Sequence, residues 1–185
     1  MSNIFITRSV SKDPYEKEMT KDKVINLAGQ SGSGKSTYAI RYFLSDKYLI
    51  VDTDEIFSEQ RYKNTTGINK KLGDYFRKKY KVLPNLTDDF DLIYKEIIDY
   101  TSKLKKIIVI DCAQFHCIKD VSLLKGKIII MRTAIDTCYE RCIERYKKSH
   151  PFYTEDELKA YKNKKKGMYT WYKETNQFIK KLEEI

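Results

Sequence analysis

The fold is decided by residues 24–37, VINLAGQSGSGKST. The first five residues, apolar except for Asn26, predict a buried strand, and a helical pattern over 36–44 follows the loop. The loop fits the Walker A pattern G-x-x-x-x-G-K-[ST] at Gly29, Gly34, Lys35 and Ser36. Glycines let successive backbone N–H groups turn inward, and the start of the helix adds the positive end of its dipole. The stretch therefore predicts a cradle for phosphate groups.

Every residue of this loop is a candidate for nucleotide binding: Gly29, Gln30, Ser31, Gly32, Ser33, Gly34, Lys35, Ser36 and Thr37. Lys35 can reach the β- and γ-phosphates, and the Ser36 hydroxyl can ligate Mg²⁺. Thr37 can touch the α-phosphate. The alternative is a chance glycine-rich turn, but the preceding strand and the following helix favour a nucleotide site.

Three more apolar runs predict buried strands at 48–51, 107–110 and Lys127–Met131. They are continuous rather than alternating, which is typical of a parallel sheet covered on both faces. Helical patterns lie at 72–80, 88–103, 137–148 and 167–184. We therefore expect a three-layer α/β/α fold of the P-loop NTPase type, as one domain over 1–185. Thr87 is a candidate cap for the helix at 88–103, and a short edge strand at Ile4–Thr7 is left open.

Aspartates follow two of the strands. Asp111 ends the apolar run IIVID in the form of a Walker B strand, where it would hold Mg²⁺ through water. Asp52 and Asp54 fall on the same side if the chain stays extended beyond the second strand. Asp54 could then take a proton from a substrate hydroxyl, and Asp52 could support the metal. The alternatives are turn formation and helix capping.

Arginines follow the fourth strand. Arg141 and Arg145 are four residues apart and share one helical face, where they could stabilise a phosphoryl group during transfer. The alternative is a solvated face on which neighbouring glutamates pair with them. Arg132, directly after the strand, is a weaker candidate for the same role.

The formal net charge of the 185 residues is +10, which favours polyanionic partners. The segments 61–82 and 147–166 carry this excess, with eight and seven basic residues respectively. No apolar run is long enough for a membrane span, and the first residues lack a secretory apolar core, so we expect a cytoplasmic protein without a membrane partner. The four cysteines are expected to be ordinary reduced thiols.

Over about residues 24–150 the chain resembles the nucleoside-, gluconate- and shikimate-kinase-like group of P-loop kinases. The resemblance rests on GQSGSGKST, on VDTDEIF after the second strand and on the R-x-x-x-R helix; the loop is also similar to that of zeta-toxin-type kinases. It implies an N-terminal extension at 1–23, a substrate-binding insert at 55–105 and a lid at 146–166. The sequence departs from shikimate kinases, which carry a glycine triplet after strand three. It departs from thymidine kinases at Cys112, where they have a catalytic glutamate.

The resemblance implies an ATP- and Mg²⁺-dependent kinase with Lys35, Asp54, Arg141 and Arg145 as catalytic residues. Ser36, Asp52 and Asp111 would serve the metal. The acceptor would be an anionic small molecule or nucleotide, because the basic segments coincide with the insert and the lid; solvent-facing lysines are the alternative. Two other functions stay open, a nucleic-acid end kinase or nucleic-acid-dependent NTPase, and a nucleotide-gated interaction protein. We expect His150 to lie in a loop and Tyr161 to pack against the last helix.

Overall fold

The computed structural model describes residues 4–7 and 23–184. Five strands form one parallel sheet: β1 (Ile4–Thr7), β2 (Val24–Ala28), β3 (Tyr48–Asp52), β4 (Ile107–Cys112) and β5 (Lys127–Met131). Their spatial order is β1-β5-β2-β4-β3. The register places Asp52 beside Asp111 and Ala28 beside Cys112, so the carboxyl ends of the three neighbouring strands meet at one edge.

Helices cover both faces of the sheet, because side chains of each central strand point alternately to the two sides. On one face Ile25, Leu27 and Val109 pack against α1 (Lys35–Phe43). On the other face the apolar residues of the strands pack against α2 (Thr53–Phe57), α4 (Gly67–Lys79), α5 (Phe90–Thr101) and α8 (Met168–Glu183). The expected α/β/α layering with a parallel sheet is confirmed.

The described part of the chain has three further α-helices, α3 (Glu59–Tyr62), α6 (Ile135–Ser149) and α7 (Glu155–Lys165). Two short 3-10 helices, Phe115–Cys117 and Val121–Leu123, lie between β4 and β5. The sequence analysis did not predict α7. Its start carries a capping box, in which Thr154 and Glu157 each bond the backbone N–H of the other. The spacing T-x-x-E was therefore a readable signal for this helix.

Two expectations about helix starts are corrected. Thr87 does not cap α5: its backbone N–H donates to Asn85 Oδ1 in a turn, and the helix begins three residues later at Phe90. α4 begins at Gly67, five residues before the predicted start, since Ile68 is the one apolar side chain before Leu72 and gives no apolar periodicity.

The question of a fifth strand is answered by β1, which pairs with β5 from Ile4↔Ile128 to Thr7↔Met131. Of the N-terminal extension predicted for 1–23, residues 1–3 and 8–22 lie outside the described residues. Within the described ranges, no helix combines the length and the apolar character needed to cross a membrane.

Candidate phosphate-binding site

The loop between β2 and α1 depends on its glycines. Gly29, Gly32 and Gly34 have φ values of 148°, 79° and 99°, in the region that other residues rarely adopt. A Cβ at Gly32 would lie 2.5 Å from the carbonyl oxygen of Cys138 on α6. Glycine is required there both for the backbone angle and for the close approach of α6 to the loop.

Lys35 lies across the loop and is only 8% exposed. Its Nζ donates a hydrogen bond to the carbonyl oxygen of Gln30, 3.1 Å away. A buried ammonium with three donors and a single bond to a neutral carbonyl has capacity to bind an anion.

Ser36 and Asp111 meet at the carboxyl end of the sheet. The Ser36 hydroxyl donates to Asp111 Oδ2 over 2.7 Å, joining the first turn of α1 to strand β4. These two residues are separated by 75 positions, and the parallel pairing of β2 with β4 brings them together. The structure therefore assembles the serine and the aspartate that the two sequence motifs predicted for Mg²⁺.

Asp52 reaches the same region by a different route from the one expected. The chain does not stay extended after β3; it turns into α2 at Thr53, and Asp52 Oδ1 accepts hydrogen bonds from the N–H groups of Asp54 and Glu55. Asp52 is the N-cap of α2, so the argument from strand alternation is wrong. Asp54 lies in the first turn of α2, with its carboxylate 3.7 Å from Arg61.

The three aspartates create a negative site. Burial, then the charges of Asp111 and Asp54, raise the pKa of Asp52 to about 6. Burial also raises the pKa of Asp111, although Lys35 and the hydrogen bond from Ser36 oppose the shift. Such carboxylates are stabilised in their charged form by a bound cation.

The residues present fit a magnesium ion whose other ligands are phosphate oxygens and water molecules. In the described part of the chain, no three His, Cys, Asp or Glu side chains converge to hold a metal by themselves. Mg²⁺ commonly uses one or two carboxylates together with substrate phosphates and several waters. Ser36, Asp111 and Asp52, with oxygen atoms at the mouth of a phosphate loop, supply that kind of donor set.

These groups open into a cavity of about 390 Å³. We call the part of the lining that comes from the glycine loop and the strand ends the floor; it includes Gly32, Gly34, Lys35, Ser36, Thr37, Asp52, Asp54 and Asp111. We call the part that comes from α3, α6 and α7 the roof; it includes Gln60, Arg61, Arg145, Tyr146, Ser149, His150, Tyr161 and Lys165. Acidic groups thus concentrate on the floor and basic groups on the roof.

The structure separates the predicted arginines. Arg145 lines the roof. Arg141 instead donates from Nη1 to the carbonyl oxygen of Gly32 over 3.1 Å, so it ties α6 to the phosphate loop. Arg132 is exposed and does not border the cavity.

Gln30 has a different position from the predicted phosphate contact. Its side chain is buried away from the cavity, and Nε2 donates to Thr175 Oγ1 on α8 over 2.9 Å. Its backbone carbonyl serves the loop by accepting from Lys35. Thr133, which the sequence analysis did not single out, supports the same loop by donating to the carbonyl oxygen of Ser33 over 2.8 Å.

A stack of three rings on the roof was also missed. The ring of Tyr146 stacks on His150 with centroids 4.4 Å apart, and on Tyr161 with centroids 4.1 Å apart. His150 follows the end of α6, and Tyr161 faces α6 and the cavity rather than the last helix. The four-residue spacing of Tyr146 and His150 was a local signal, whereas Tyr161 depends on the unpredicted helix α7.

The basic segments contribute less to the cavity than their charge suggested. Of the fifteen basic residues in 61–82 and 147–166, all of them within the described residues, Arg61 and Lys165 line it. Several others are held in ion pairs on the surface: Lys70 with Asp74, Arg77 with Glu59 and Lys79 with Glu96. Most of the +10 charge therefore lies away from the cavity.

No family model matches the chain, and no curated protein matches it.

Proposed function

We propose that the protein is an ATP- and Mg²⁺-dependent phosphotransferase of the P-loop kinase type that acts on an anionic small molecule or nucleotide. The observation that carries this proposal is the contact between Ser36 and Asp111, 2.7 Å, beside the buried Lys35 on a glycine loop. A phosphate cradle alone would fit any anion, whereas a cradle with an adjacent hydroxyl and carboxylate fits a phosphate chain that carries a metal.

The sheet order supports a ligand at this edge. Strand β2 lies between β4 and β5, and the chain leaves it first toward β3 and β4 and later returns on its other side. In open α/β sheets, ligands bind beyond the carboxyl ends of the strands at such a reversal. The phosphate loop follows β2 directly, so the cradle lies at the reversal point.

The floor would bind the donor. N–H groups of the loop and Lys35 would hold the β- and γ-phosphates, with Ser36, Asp111 and Asp52 oriented toward the metal. Mg²⁺, when bound, neutralises charge on the phosphate oxygens. Arg141 would act through the loop, because its guanidinium holds the Gly32 carbonyl.

The roof would bind the acceptor. Arg61, Arg145 and Lys165 bring positive charge to this part of the cavity lining. Asp54, on the floor and 3.7 Å from Arg61, would accept the proton of an acceptor hydroxyl. A cavity of about 390 Å³ with three basic residues on its roof suits a small anion better than a polynucleotide.

The experiment is transfer of labelled phosphate from [γ-³²P]ATP with Mg²⁺ to a panel of nucleosides, nucleotides, sugars, sugar phosphates and 5′-hydroxyl oligonucleotides. We expect transfer to at least one small acceptor by the wild-type protein and by Lys47→Ala, which alters an exposed lysine outside the cavity. Lys35→Ala should lower the rate of transfer about 10²–10³-fold. Transfer at the wild-type rate in Lys35→Ala would refute the site, and transfer restricted to oligonucleotides would refute a small acceptor.

A further inference from the structure

A second cavity, of about 270 Å³, lies between α8 and the segment that follows β4. It is lined by Thr87, His116, Cys117, Ile118, Glu174, Gln177, Phe178 and Lys181, none of which lines the first cavity. Its volume is several times that of one water molecule, which occupies about 30 Å³ in the liquid. The space therefore suits a small organic ligand.

His116 is the most unusual group in this cavity. Its side chain is only 2% exposed, and Nδ1 lies 3.1 Å from the carbonyl oxygen of Ala113. Because a carbonyl oxygen only accepts, Nδ1 carries the proton and Nε2 is left as an acceptor. No described residue gives Nε2 a hydrogen bond.

A second acceptor lies close to this one. Glu174 Oε2 lies 3.5 Å from His116 Nε2. Burial lowers the pKa of His116, so the imidazole is neutral at pH 7 and has no second proton for the carboxylate. A buried acceptor left without a donor is destabilising. The pair is complementary to a positively charged group with several N–H donors, such as a primary ammonium.

The same cavity also has a basic end. Glu174, Gln177 and Lys181 are spaced i, i+3 and i+7 and share one face of α8. The spacing places Lys181 about two helical turns, roughly 10 Å, from Glu174 along the axis. Phe178 and Ile118 supply apolar walls, and Lys181 supplies a charge for an anionic group.

We propose that this cavity binds a small zwitterionic amine of the amino-acid type. The ammonium group lies between His116 Nε2 and Glu174, and the acidic group points toward Lys181. A dicarboxylate would place its second negative group beside Glu174, where the two charges repel. A simple amine would give Lys181 no anionic partner. The zwitterion is therefore favoured over both. The assignment rests on the second cavity alone and does not depend on the phosphotransferase function.

The test is isothermal titration calorimetry of the whole protein at pH 7.5 with three sets of probes. The first set contains α-, β- and γ-amino acids, the second contains monoamines without an acid, and the third contains dicarboxylates without an amine. We expect at least one amino acid to bind more tightly than any amine or dicarboxylate. Failure of every amino acid to bind, or equal binding by a dicarboxylate, would overturn the proposal.

Matched variants on α8 locate the site. Glu174→Gln and Lys181→Met should each weaken binding about tenfold, the loss of one charge-assisted contact. Glu183→Gln and Lys180→Met change exposed residues of the same helix outside the cavity and should bind like the wild type. The Glu174 side chain is 49% exposed, so its replacement leaves the core packing unchanged. Unchanged affinity in both cavity variants would contradict the site.

Discussion

The floor and the roof of the phosphate cavity are built in different ways. On the floor, Lys35, Ser36 and Asp111 are held by bonds to the loop and to each other, and two of them are buried. On the roof, Arg61, Arg145 and Lys165 come from three separate helices, and the arginines are exposed. The floor is therefore held by bonds of its own, whereas the roof depends on how three helices are placed. This difference fits the proposal that the floor binds the donor and the roof binds the acceptor.

The largest effect is expected from removal of the floor lysine. Lys35→Ala takes a buried cation from the phosphate loop, and the loss of a preorganised charge donor of this kind costs about 10²–10³-fold in kcat. Turnover of ATP with the acceptor identified in the panel measures it. Lys47→Ala, on an exposed loop, should keep wild-type turnover. Comparable loss in both variants would mean that the effect is not local to the floor.

A smaller effect is expected at Asp111. Asp111→Asn keeps an oxygen for the Ser36 hydroxyl but removes the negative charge that would orient metal-bound water. The change should lower kcat about 10–100-fold, in line with other outer ligands of metal sites, and raise the Mg²⁺ concentration needed for half-maximal rate. Asp46→Asn changes an exposed aspartate outside the cavity and serves as the control. An unchanged magnesium requirement in Asp111→Asn would contradict the assignment.

The sequence was sufficient for the floor because its parts are local. The loop, its glycines and the strand that ends in Asp111 are short patterns with one structural solution each, and parallel pairing brings them together. The roof could not be predicted in the same way. Tyr161 and Lys165 lie on α7, whose only signal was its capping box. Asp52 was predicted at the site for a wrong reason. Its side chain is held there by the hydrogen bonds that it accepts as the N-cap of α2, and not by strand alternation.

The roof charges should affect acceptor binding more than chemistry. Arg145→Met and Lys165→Met each remove one charge from the cavity while they keep an apolar side chain. We expect KM for the acceptor to rise about tenfold in each variant, with KM for ATP changed less, as for the loss of one charged hydrogen bond. Lys162→Met, on an exposed turn of α7 outside the cavity, should have no effect. A larger change in KM for ATP than for the acceptor would contradict the proposal, because it would mean that the roof binds the donor.

The smallest effect concerns the stability of the floor without ligands. The pKa of Asp52 is about 6 in the folded protein against an ordinary value of 3.8, so the native state binds more protons between these values. The contribution of Asp52 to stability in metal-free buffer should therefore decline as the pH rises from about 4 to 6. Asp52→Asn keeps a good N-cap residue for α2 and should reduce this decline. Urea unfolding across this pH range measures it, and an unchanged profile in the variant would refute the charge coupling.

Binding of a non-hydrolysable ATP analogue tests the central claim most directly. Calorimetric titration of the wild-type protein, with and without Mg²⁺, should show one site with a dissociation constant on the order of micromolar to submillimolar. Binding should weaken strongly without Mg²⁺ and disappear in Lys35→Ala. Absence of binding in the wild type, or equal affinity in Lys35→Ala, would contradict the assignment of this cavity to a nucleoside triphosphate.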